Sequence, residues 1–486
     1  MIGHLQHRCC RAGAVLALLL FICISSFGLS RPGEAASIPS SLRVGLNTNA
    51  AFYDIKAVQG SYRLVDRASG RVLASSVRGE ETYRIQLKLG SSDLQLFYST
   101  GGGDWEEKGT FKGPLVLEET SPSVSRGGSA SPALVDLDGC RYRGSIEIRL
   151  NREGDSLTSI NQLPLEDYLC GVLPREVSDR WPLEALKAQA IAARTYALRN
   201  LSRHAEEGFD LCSGTNCQAY GGYSWERSNC TRAVQETRGM VLLDDRGALA
   251  CTLYHSNSGG YLEDNLNVNG TEVYYLKAKP DPYSLGNGLS DWALQVVAEG
   301  RDAAGRPGLR DSLLASGSSI GRIESLELVK YPSGRVEKVM ITDERGNTIE
   351  KSGGQFATLF NPGFRAVGAD QFMSRLFDLT TDATVCLQNA RGEVITRHGG
   401  ASQLAAIGGN GQVSSLDGDG KVFQVQGAEG RGSINFFPQK ISVKGHGWGH
   451  GVGMSQWGAY GMASQGFEFS QILAFYYPGT KLVTLK

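Results

Sequence analysis

The sequence lacks an excess of charge of either sign. Its 486 residues include 49 lysines and arginines against 50 aspartates and glutamates, so the formal net charge is −1. Because nucleic-acid binding needs a basic surface, nothing in this balance indicates a general nucleic-acid binder. Glycine is abundant, at 62 residues, but it follows no three-residue period, which excludes a collagen-like chain.

Long apolar runs are also scarce, and one alone, from Ala12 to Leu29, approaches membrane-spanning length. A basic stretch over residues 4–11 precedes it, and the small residues 35–37 follow it. This order predicts that residues 1–36 are either a secretory signal peptide cut near Ala36 or an N-terminal membrane anchor. Both alternatives predict an extracytoplasmic location, whether secreted, periplasmic or membrane-anchored.

Three of the ten cysteines lie inside that N-terminal segment. Seven cysteines remain, and an odd number of cysteines cannot all form disulfides within one chain. At least one of these thiols is therefore free, metal-bound or intermolecular. The remaining seven are Cys140, Cys170, Cys212, Cys217, Cys230, Cys251 and Cys386.

The pattern of apolar residues predicts an α+β fold. Residues 37–155 predict a β-rich N-terminal domain, because apolar and polar residues alternate in short runs such as 83–89 and 94–98. Residues 156–486 predict a mixed core with helices, a strand hairpin over 325–350 and a Gly- and Ser-rich extended loop or insertion over 399–432.

Helices are predicted at both ends of this core. The first follows Pro164, which suits a first helical turn, and the second begins near Pro182 and has an alanine-rich buried face. At the C-terminal end, a helical stripe from Met454 to Met462 stops at Gly466, and Ser470 caps a short last helix.

Glu176 is the candidate catalytic residue. It is predicted just past the first helix, where the negative end of the helix dipole and the apolar neighbours Val177 and Trp181 would raise its pKa toward neutrality. A general acid needs such a pKa. From position alone, the alternative is a surface glutamate in a loop.

The segment 445–461 alternates glycine with His446, Trp448 and His450. Glycine lets a backbone approach a ligand closely, and Trp and His offer apolar and polar contacts to a sugar. Two alternatives stay open. One is a structural glycine-rich turn, and the other is a metal site at the two histidines, whose spacing suits a metal only on a helix.

Two further motifs carry chemically active residues. Cys212 and Cys217 predict a local disulfide or, with ligands such as Cys230, Cys251 and His255, a zinc site. His255 and Ser256 suggest a serine hydrolase. However, adjacent strand residues point to opposite faces, which favours the lining of a polar cleft.

Together these motifs resemble the stage II sporulation protein D family, which includes amidase-enhancer proteins. The resemblance runs from about Leu163 to the C-terminus, and residues 40–162 are more weakly similar to the family's β-rich N-terminal part. It is carried by Pro174 with Glu176, the helical segment 185–190, Cys217-Gln218, His255-Ser256 with Gly259-Gly260, and 449–456.

The resemblance implies a lytic transglycosylase that cleaves peptidoglycan glycan strands, preferably those stripped of stem peptides. Glu176 would act as acid and then as base, giving a 1,6-anhydro product without a second carboxylate. One alternative is a non-catalytic wall-binding protein that stimulates a cell-wall amidase. Another, motivated by the exported cysteines and the histidines, is a metal-dependent hydrolase.

The resemblance also indicates which residues contact the substrate and what holds the two cysteines. Some family members bind zinc with a histidine directly before the second cysteine. Here that residue is Asn216, so a Cys212–Cys217 disulfide becomes the simpler expectation and zinc the alternative. The candidate substrate-binding residues are Gln189, Arg194, Tyr196, Gln218, Tyr220, His255, Ser256, His446, His450, Ser455 and Gln456.

Overall fold

The computed structural model describes most of the residues from 38 to 485. The segment 1–36, predicted to be a signal peptide or anchor, lies outside the described residues. Within the described part, no helix is long and apolar enough to cross a membrane. The described ranges are 38–77, 79–120, 132–286, 290–366, 371–388, 394–398, 405–407, 413–415, 422–427, 430–435 and 437–485.

The described residues form strands and helices in an α+β arrangement, which confirms the predicted fold class. The strands are β1 (Leu42–Ala50), β2 (Phe52–Gln59), β3 (Tyr62–Asp66), β4 (Arg71–Val77), β5 (Glu81–Leu87), β6 (Leu94–Thr100), β7 (Glu106–Phe111), β8 (Leu115–Glu119), β9 (Leu134–Leu137), β10 (Cys140–Arg143), β11 (Ser145–Leu150), β12 (Leu157–Leu163), β13 (Leu211–Cys212), β14 (Met240–Leu243), β15 (Tyr254–His255), β16 (Tyr261–Leu262), β17 (Lys279–Pro280), β18 (Asp291–Val297), β19 (Ile323–Lys330), β20 (Val336–Asp343), β21 (Thr348–Ser352), β22 (Phe377–Thr381), β23 (Thr384–Gln388), β24 (Val394–His398), β25 (Ala405–Ile407), β26 (Val413–Ser415), β27 (Val422–Gly427), β28 (Gly430–Asn435), β29 (Lys440–His446), β30 (Met454–Ser455) and β31 (Lys481–Thr484). The α-helices are α1 (Leu165–Glu176), α2 (Leu183–Arg199), α3 (Ser228–Glu236), α4 (Asn265–Asn269), α5 (Leu309–Ala315), α6 (Gly353–Ala366), α7 (Gln456–Ser464) and α8 (Phe469–Tyr476), and short 3-10 helices cover Ala205–Glu207, Tyr223–Trp225 and Pro282–Ser284.

The protein divides into two compact units. The first unit contains residues 38–253 together with 462–485, and the second is Tyr254–Gly461. This division differs from the predicted break after residue 155. The reason is that β12 pairs with both β1 and β11 and so continues the N-terminal sheet to Leu163.

Two sheets form the N-terminal part of the first unit. One has the order β13-β1-β12-β11-β8-β3-β4 and the other β10-β9-β2-β5-β6-β7. Their inward residues share one core, in which Ile55, Ile85 and Leu96 are almost fully buried. The alternation that predicted these strands is seen in β5 and β6, where Ile85 lies opposite Leu96. Leu89, at the end of the predicted alternation, lies outside the strand and is exposed.

Helices complete the first unit and position the candidate catalytic segment. Pro164 and Pro182 are the N-cap residues of α1 and α2. Helix α2 packs against α1, α3 and α8. Its alanines are buried, and their small side chains allow close helix contacts. Glu176 is the last residue of α1 rather than the first residue beyond it.

The second unit has its own core beneath two three-stranded sheets, ordered β18-β29-β22 and β19-β20-β21. Packed phenylalanines, including Phe356, Phe372 and Phe377, fill that core. Strands β19 and β20 form a hairpin where the sequence predicted one. Within the predicted loop over 399–432 the structure instead has short strands, with β25 paired to β26 and β27 to β28.

The C-terminal helices begin at different residues from those predicted. Met454 lies in β30, and α7 starts two residues later. Helix α8 is capped by Glu468 instead of Ser470. Glu468 and Gln471 each accept a hydrogen bond from the other residue's backbone in a capping box, which satisfies two helix N–H groups at once.

Candidate functional site

Glu176 is held at the end of α1 by a backbone contact from a distant loop. Its Oε1 accepts a 2.8 Å hydrogen bond from the backbone N–H of Ala219, and the side chain is partly buried. The next residue, Val177, leaves the helix with an extended backbone. The carboxyl group therefore has a fixed orientation instead of the freedom of a surface loop residue.

The loop that carries Ala219 is itself fixed on both sides. Gln218 is buried, accepts a 3.4 Å hydrogen bond from the Tyr168 hydroxyl and donates to the carbonyl of Ala193. The Tyr220 hydroxyl donates to Asn161 Oδ1 at 2.7 Å. Gln218 and Tyr220, both predicted to contact substrate, thus anchor the segment that positions Glu176.

Gly171 of α1 allows the loop around Tyr220 to approach this helix closely. A Cβ atom there would lie 2.6 Å from the Tyr220 ring. The Tyr168 and Tyr220 rings are 5.1 Å apart. Burial raises the pKa of both tyrosines well above the usual value of 10, so both hydroxyls stay protonated.

Arg194 is a correction to the predicted substrate contacts. It is completely buried, and its Nε and Nη2 groups donate to the two carboxylate oxygens of Glu166 at 2.9 and 2.7 Å. Its other N–H groups reach the carbonyl oxygens of Val234 and Met240 and the Thr237 hydroxyl. With these contacts it joins α1, α2 and the end of α3 and is unavailable to a glycan.

The two other predicted contacts on α2 are buried as well. Tyr196 accepts a 3.1 Å hydrogen bond from Arg203, and burial raises the pKa of its hydroxyl. Gln189 is 1% exposed, and neither of its amide atoms has a hydrogen-bond partner among the residues that the structure describes.

Cys212 and Cys217 are free thiols, so the expected disulfide is wrong for this structure. A hydrogen bond between the two side chains lowers the pKa of Cys212 and raises the pKa of Cys217. The third member of this cluster is His204, whose Nε2 lies 3.4 Å from Cys217 Sγ. His204 was not among the residues predicted from sequence.

In the second unit, the glycine-rich segment brings His255 and His450 together. Strand β15 pairs with β30, and the two imidazole rings are 5.3 Å apart. His450 lies between two backbone groups, because its Nε2 donates to the Tyr254 carbonyl and its Nδ1 accepts from the Val452 N–H. His255 donates from Nδ1 to the Val452 carbonyl, and its buried Nε2 has no partner in the described ranges.

Arg335 lies beside these histidines and was not predicted. It is fully buried, and it donates to the carbonyls of Ser258 and Tyr261 at 2.7 Å each. The segment needs glycine at position 451, which has a positive φ of 83° and whose Cβ would lie 2.3 Å from the guanidinium. Burial lowers the pKa of Arg335 to about 10.

The remaining predicted residues of this segment are divided between surface and core. His446 is half-exposed, and its Nδ1 lies 2.6 Å from the Asp291 carboxylate. Ser455 is buried, and its hydroxyl accepts from the N–H groups of Ser258 and Gly458. Gln456 is 6% exposed, and Ser256 is partly buried. His446 and His450 therefore have separate partners instead of forming a metal pair.

The segment that contains Glu176, the buried ion pair and the thiol cluster matches a known domain family. Residues 153–243 match SpoIID, described as stage II sporulation protein. Over this range the protein is similar to the SpoIID family. This finding confirms the resemblance seen in the sequence motifs.

Individual relatives agree with the domain match. An amidase enhancer of Bacillus subtilis (strain 168) is 30% identical over 418 residues, covering 83% of this chain and 53% of that protein. The chain thus spans about half the length of that relative. A stage II sporulation protein D of the same organism is 24% identical over 339 residues, covering 67% and 76%. An uncharacterized protein of Brachyspira hyodysenteriae is 28% identical over 459 residues, covering 91% and 92%.

Several residues around the candidate site within 153–243 have weak sequence signals. His204 lies eight positions before Cys212, and Glu207 lies three positions after His204. Only the hypothesis of a metal site would have drawn attention to this spacing. Ala219 contributes its backbone N–H, so its side chain gives no indication of this contact in the sequence. The polar residues of the predicted motifs, by contrast, mostly serve to hold the backbone in place.

Proposed function

We propose that this protein is a lytic transglycosylase of peptidoglycan glycan strands, with Glu176 as the one catalytic carboxyl group. The observation that carries the proposal is the 2.8 Å hydrogen bond from the Ala219 N–H to Glu176 Oε1. A catalytic acid must be held in one orientation toward the bond that it cleaves. Glu176 also lies within residues 153–243, the range that matches SpoIID.

The chemistry uses the carboxyl group twice. Protonated Glu176 gives its proton to the glycosidic oxygen that leaves C1 of N-acetylmuramic acid, and the C1–O bond breaks. The carboxylate then takes the proton of the C6 hydroxyl of the same sugar, whose oxygen forms the new bond to C1. Protons balance, water is not consumed, and the product has a 1,6-anhydro end, so the usual pair of carboxylates is unnecessary.

The place of action follows from the substrate. Peptidoglycan lies outside the cytoplasmic membrane, and the predicted signal peptide or anchor over residues 1–36 would deliver the protein there. We propose strands stripped of stem peptides as the preferred substrate.

The test is product analysis after digestion of stripped glycan strands. Wild-type protein and Glu206→Gln should release fragments with anhydro ends, since Glu206 is exposed and forms a surface ion pair with Arg152. Glu176→Gln should be at least about a hundredfold slower, because general acid–base groups contribute about 10²–10⁴-fold. Fragments heavier by one water, or full activity in Glu176→Gln, would overturn the proposal.

The second candidate is a non-catalytic enhancer of a cell-wall amidase. It is favoured by the 30% identity to a protein named amidase enhancer over 83% of this chain. If this function is correct, wild-type protein and Glu176→Gln should bind peptidoglycan and accelerate an amidase equally, while neither releases glycan fragments. Stimulation that is lost in Glu176→Gln would contradict the enhancer function.

A further inference from the structure

An exposed arginine next to Glu176 stacks on a tryptophan. The guanidinium carbon of Arg175 lies over the Trp225 ring, 4.2 Å from its centroid. Arg175 precedes Glu176 in the last turn of α1, and its side chain is exposed. Trp225 is half-buried at the end of the short 3-10 helix Tyr223–Trp225. A cation and an aromatic ring therefore accompany the candidate catalytic group.

The same loop holds both the carboxyl group of Glu176 and the indole of Trp225. Ala219 donates its N–H to Glu176, and a Cβ atom at Gly221 would lie 2.4 Å from the Trp225 ring. The indole thus packs directly on the backbone of Gly221. Because two residues of chain span at most about 7 Å, the two contact points on the loop are close together. One strand of substrate can reach the carboxyl group and the indole at the same time.

The turn that carries the tryptophan is fixed by the neighbouring strand β10. Arg143 of this strand donates to the two carboxylate oxygens of Glu226, at 2.5 and 2.7 Å. The backbone N–H of Arg141 donates to the Ser224 hydroxyl at 2.9 Å. Since Arg143 already neutralises the acidic side chain of this turn, Glu226 does not compete for Arg175.

Two arginines beside this turn offer positive charge to a ligand. Arg175 lies over the indole, and Arg227 donates to the carbonyl oxygens of Ser224 and Glu226. Neither guanidinium forms an ion pair with a carboxylate in the part of the chain that the structure describes. Because the protein as a whole is nearly neutral, positive charge concentrated beside the candidate site favours an anionic ligand there.

A glycan strand stripped of stem peptides differs from an intact strand by such an anionic group. Removing the peptide frees the lactyl carboxyl group of N-acetylmuramic acid, which an intact strand holds as an amide. A guanidinium binds a carboxylate through two parallel hydrogen bonds, and stacking on an indole keeps the N–H groups at its edge available for them. The apolar C–H groups of a sugar ring also suit the face of an aromatic side chain.

We propose that Arg175, held on Trp225, binds the free lactyl carboxylate of an N-acetylmuramic acid residue beside Glu176. This contact makes stripped strands the preferred substrate, because an amide at the same position has no negative charge. The identity of the ligand rests on the proposed function, in which the substrate is a glycan strand. The side chain that selects between stripped and intact strands is then Arg175.

The first experiment measures binding by Glu176→Gln, so that cleavage does not interfere. The probes are stripped glycan strands and the same strands with their lactyl carboxyl groups converted to methylamides. Glu176→Gln should bind the stripped strands at least about tenfold more tightly than the amidated strands, the usual effect of hydrogen bonds to a charged group. Equal affinity for the two probes would overturn the proposal.

Adding Arg175→Gln to Glu176→Gln should abolish this preference. The double variant should bind both probes with the affinity that Glu176→Gln has for the amidated strands, within a few-fold. Arg152→Gln is the matched control and should keep the preference, because Arg152 is exposed and pairs with Glu206. With both variants folded by circular dichroism, an unchanged preference after Arg175→Gln, or an equal loss of affinity for both probes, would overturn the proposal.

Cleavage assays separate this role of Arg175 from the proposed function. Wild-type kcat/KM should be at least about tenfold higher for stripped than for amidated strands, and Arg175→Gln should bring the two values together. Anhydro-ended fragments released equally fast from both probes by wild-type protein would overturn the role of Arg175 and leave the transglycosylase standing. If neither probe is cut but Glu176→Gln shows the binding preference, the proposed function fails and the carboxylate site stands.

Discussion

The backbone N–H of Ala219 donates a 2.8 Å hydrogen bond to Oε1 of Glu176, across 43 positions of sequence. Glu176 ends α1, whereas Ala219 lies in a loop fixed by Gln218 and Tyr220. The orientation of the candidate catalytic group therefore depends on residues that themselves need not touch the substrate.

Removing this N–H should impair cleavage. Proline at position 219 has no backbone donor, and hydrogen bonds to charged groups contribute about 1.5–3 kcal/mol. We expect Ala219→Pro to lower kcat/KM for stripped glycan strands about tenfold or more. Ala219→Gly keeps the N–H and should remain within a few-fold of wild type. Equal rates in the two folded variants would show that the contact does not position Glu176.

Breaking the buried ion pair between Arg194 and Glu166 should destabilise the first unit. Arg194→Leu leaves the Glu166 carboxylate without its charged partner, which typically costs about 3–5 kcal/mol. Arg152→Ala, which breaks an exposed pair with Glu206, should change the free energy of unfolding by less than about 1 kcal/mol. Urea denaturation of both variants measures the difference, and similar losses would argue against a structural role for Arg194.

Alanine at Gly451 should destabilise the second unit. The added Cβ would lie 2.3 Å from the Arg335 guanidinium, and the positive φ of 83° adds strain. Overpacking and the left-handed backbone together predict a loss of about 2–5 kcal/mol. Gly305 has a similar φ of 76° but nothing within 4 Å, so Gly305→Ala should lose only about 1–2 kcal/mol. Thermal unfolding of Gly451→Ala and Gly305→Ala measures both losses, and the difference between them gives the contribution of overpacking beside Arg335.

The two histidines of the second unit predict a loss of stability in mild acid. Burial, together with the charge of the nearby Arg335, lowers the pKa of His255 well below 6.5 and the pKa of His450 to about 4. Below about pH 6.5 the unfolded protein therefore binds more protons than the folded protein. Each histidine should reduce the free energy of unfolding by up to about 1.4 kcal/mol per pH unit as the pH falls from 6.5 toward 4.

The comparison that isolates this effect uses His450→Gln, whose amide can still donate to Tyr254 and accept from Val452. Its stability, measured by urea denaturation between about pH 7 and about pH 5, should fall less steeply than that of wild type. The carboxylates contribute equally to the pH dependence of both proteins, so their contribution cancels when the two curves are subtracted. Parallel curves would mean that His450 is not buried in its neutral form.

The sequence predicted the elements better than the contacts between their polar residues. Apolar spacing was sufficient to predict α1, α2 and strands such as β5, because burial of one face imposes that spacing. It could not pair Glu166 with Arg194 or bring His204 to Cys217, since those contacts depend on how distant elements pack. Arg335 follows the turn of the predicted hairpin, a position that gives no sign of the complete burial seen in the structure.

The most direct test of the central claim is digestion of stripped glycan strands in water enriched in the heavy oxygen isotope. Because the C6 hydroxyl of the sugar attacks C1, wild-type protein should release anhydro-ended fragments that contain no heavy oxygen, and Glu176→Gln should release almost none. Heavy oxygen at the newly formed sugar ends would identify water as the nucleophile and contradict the account.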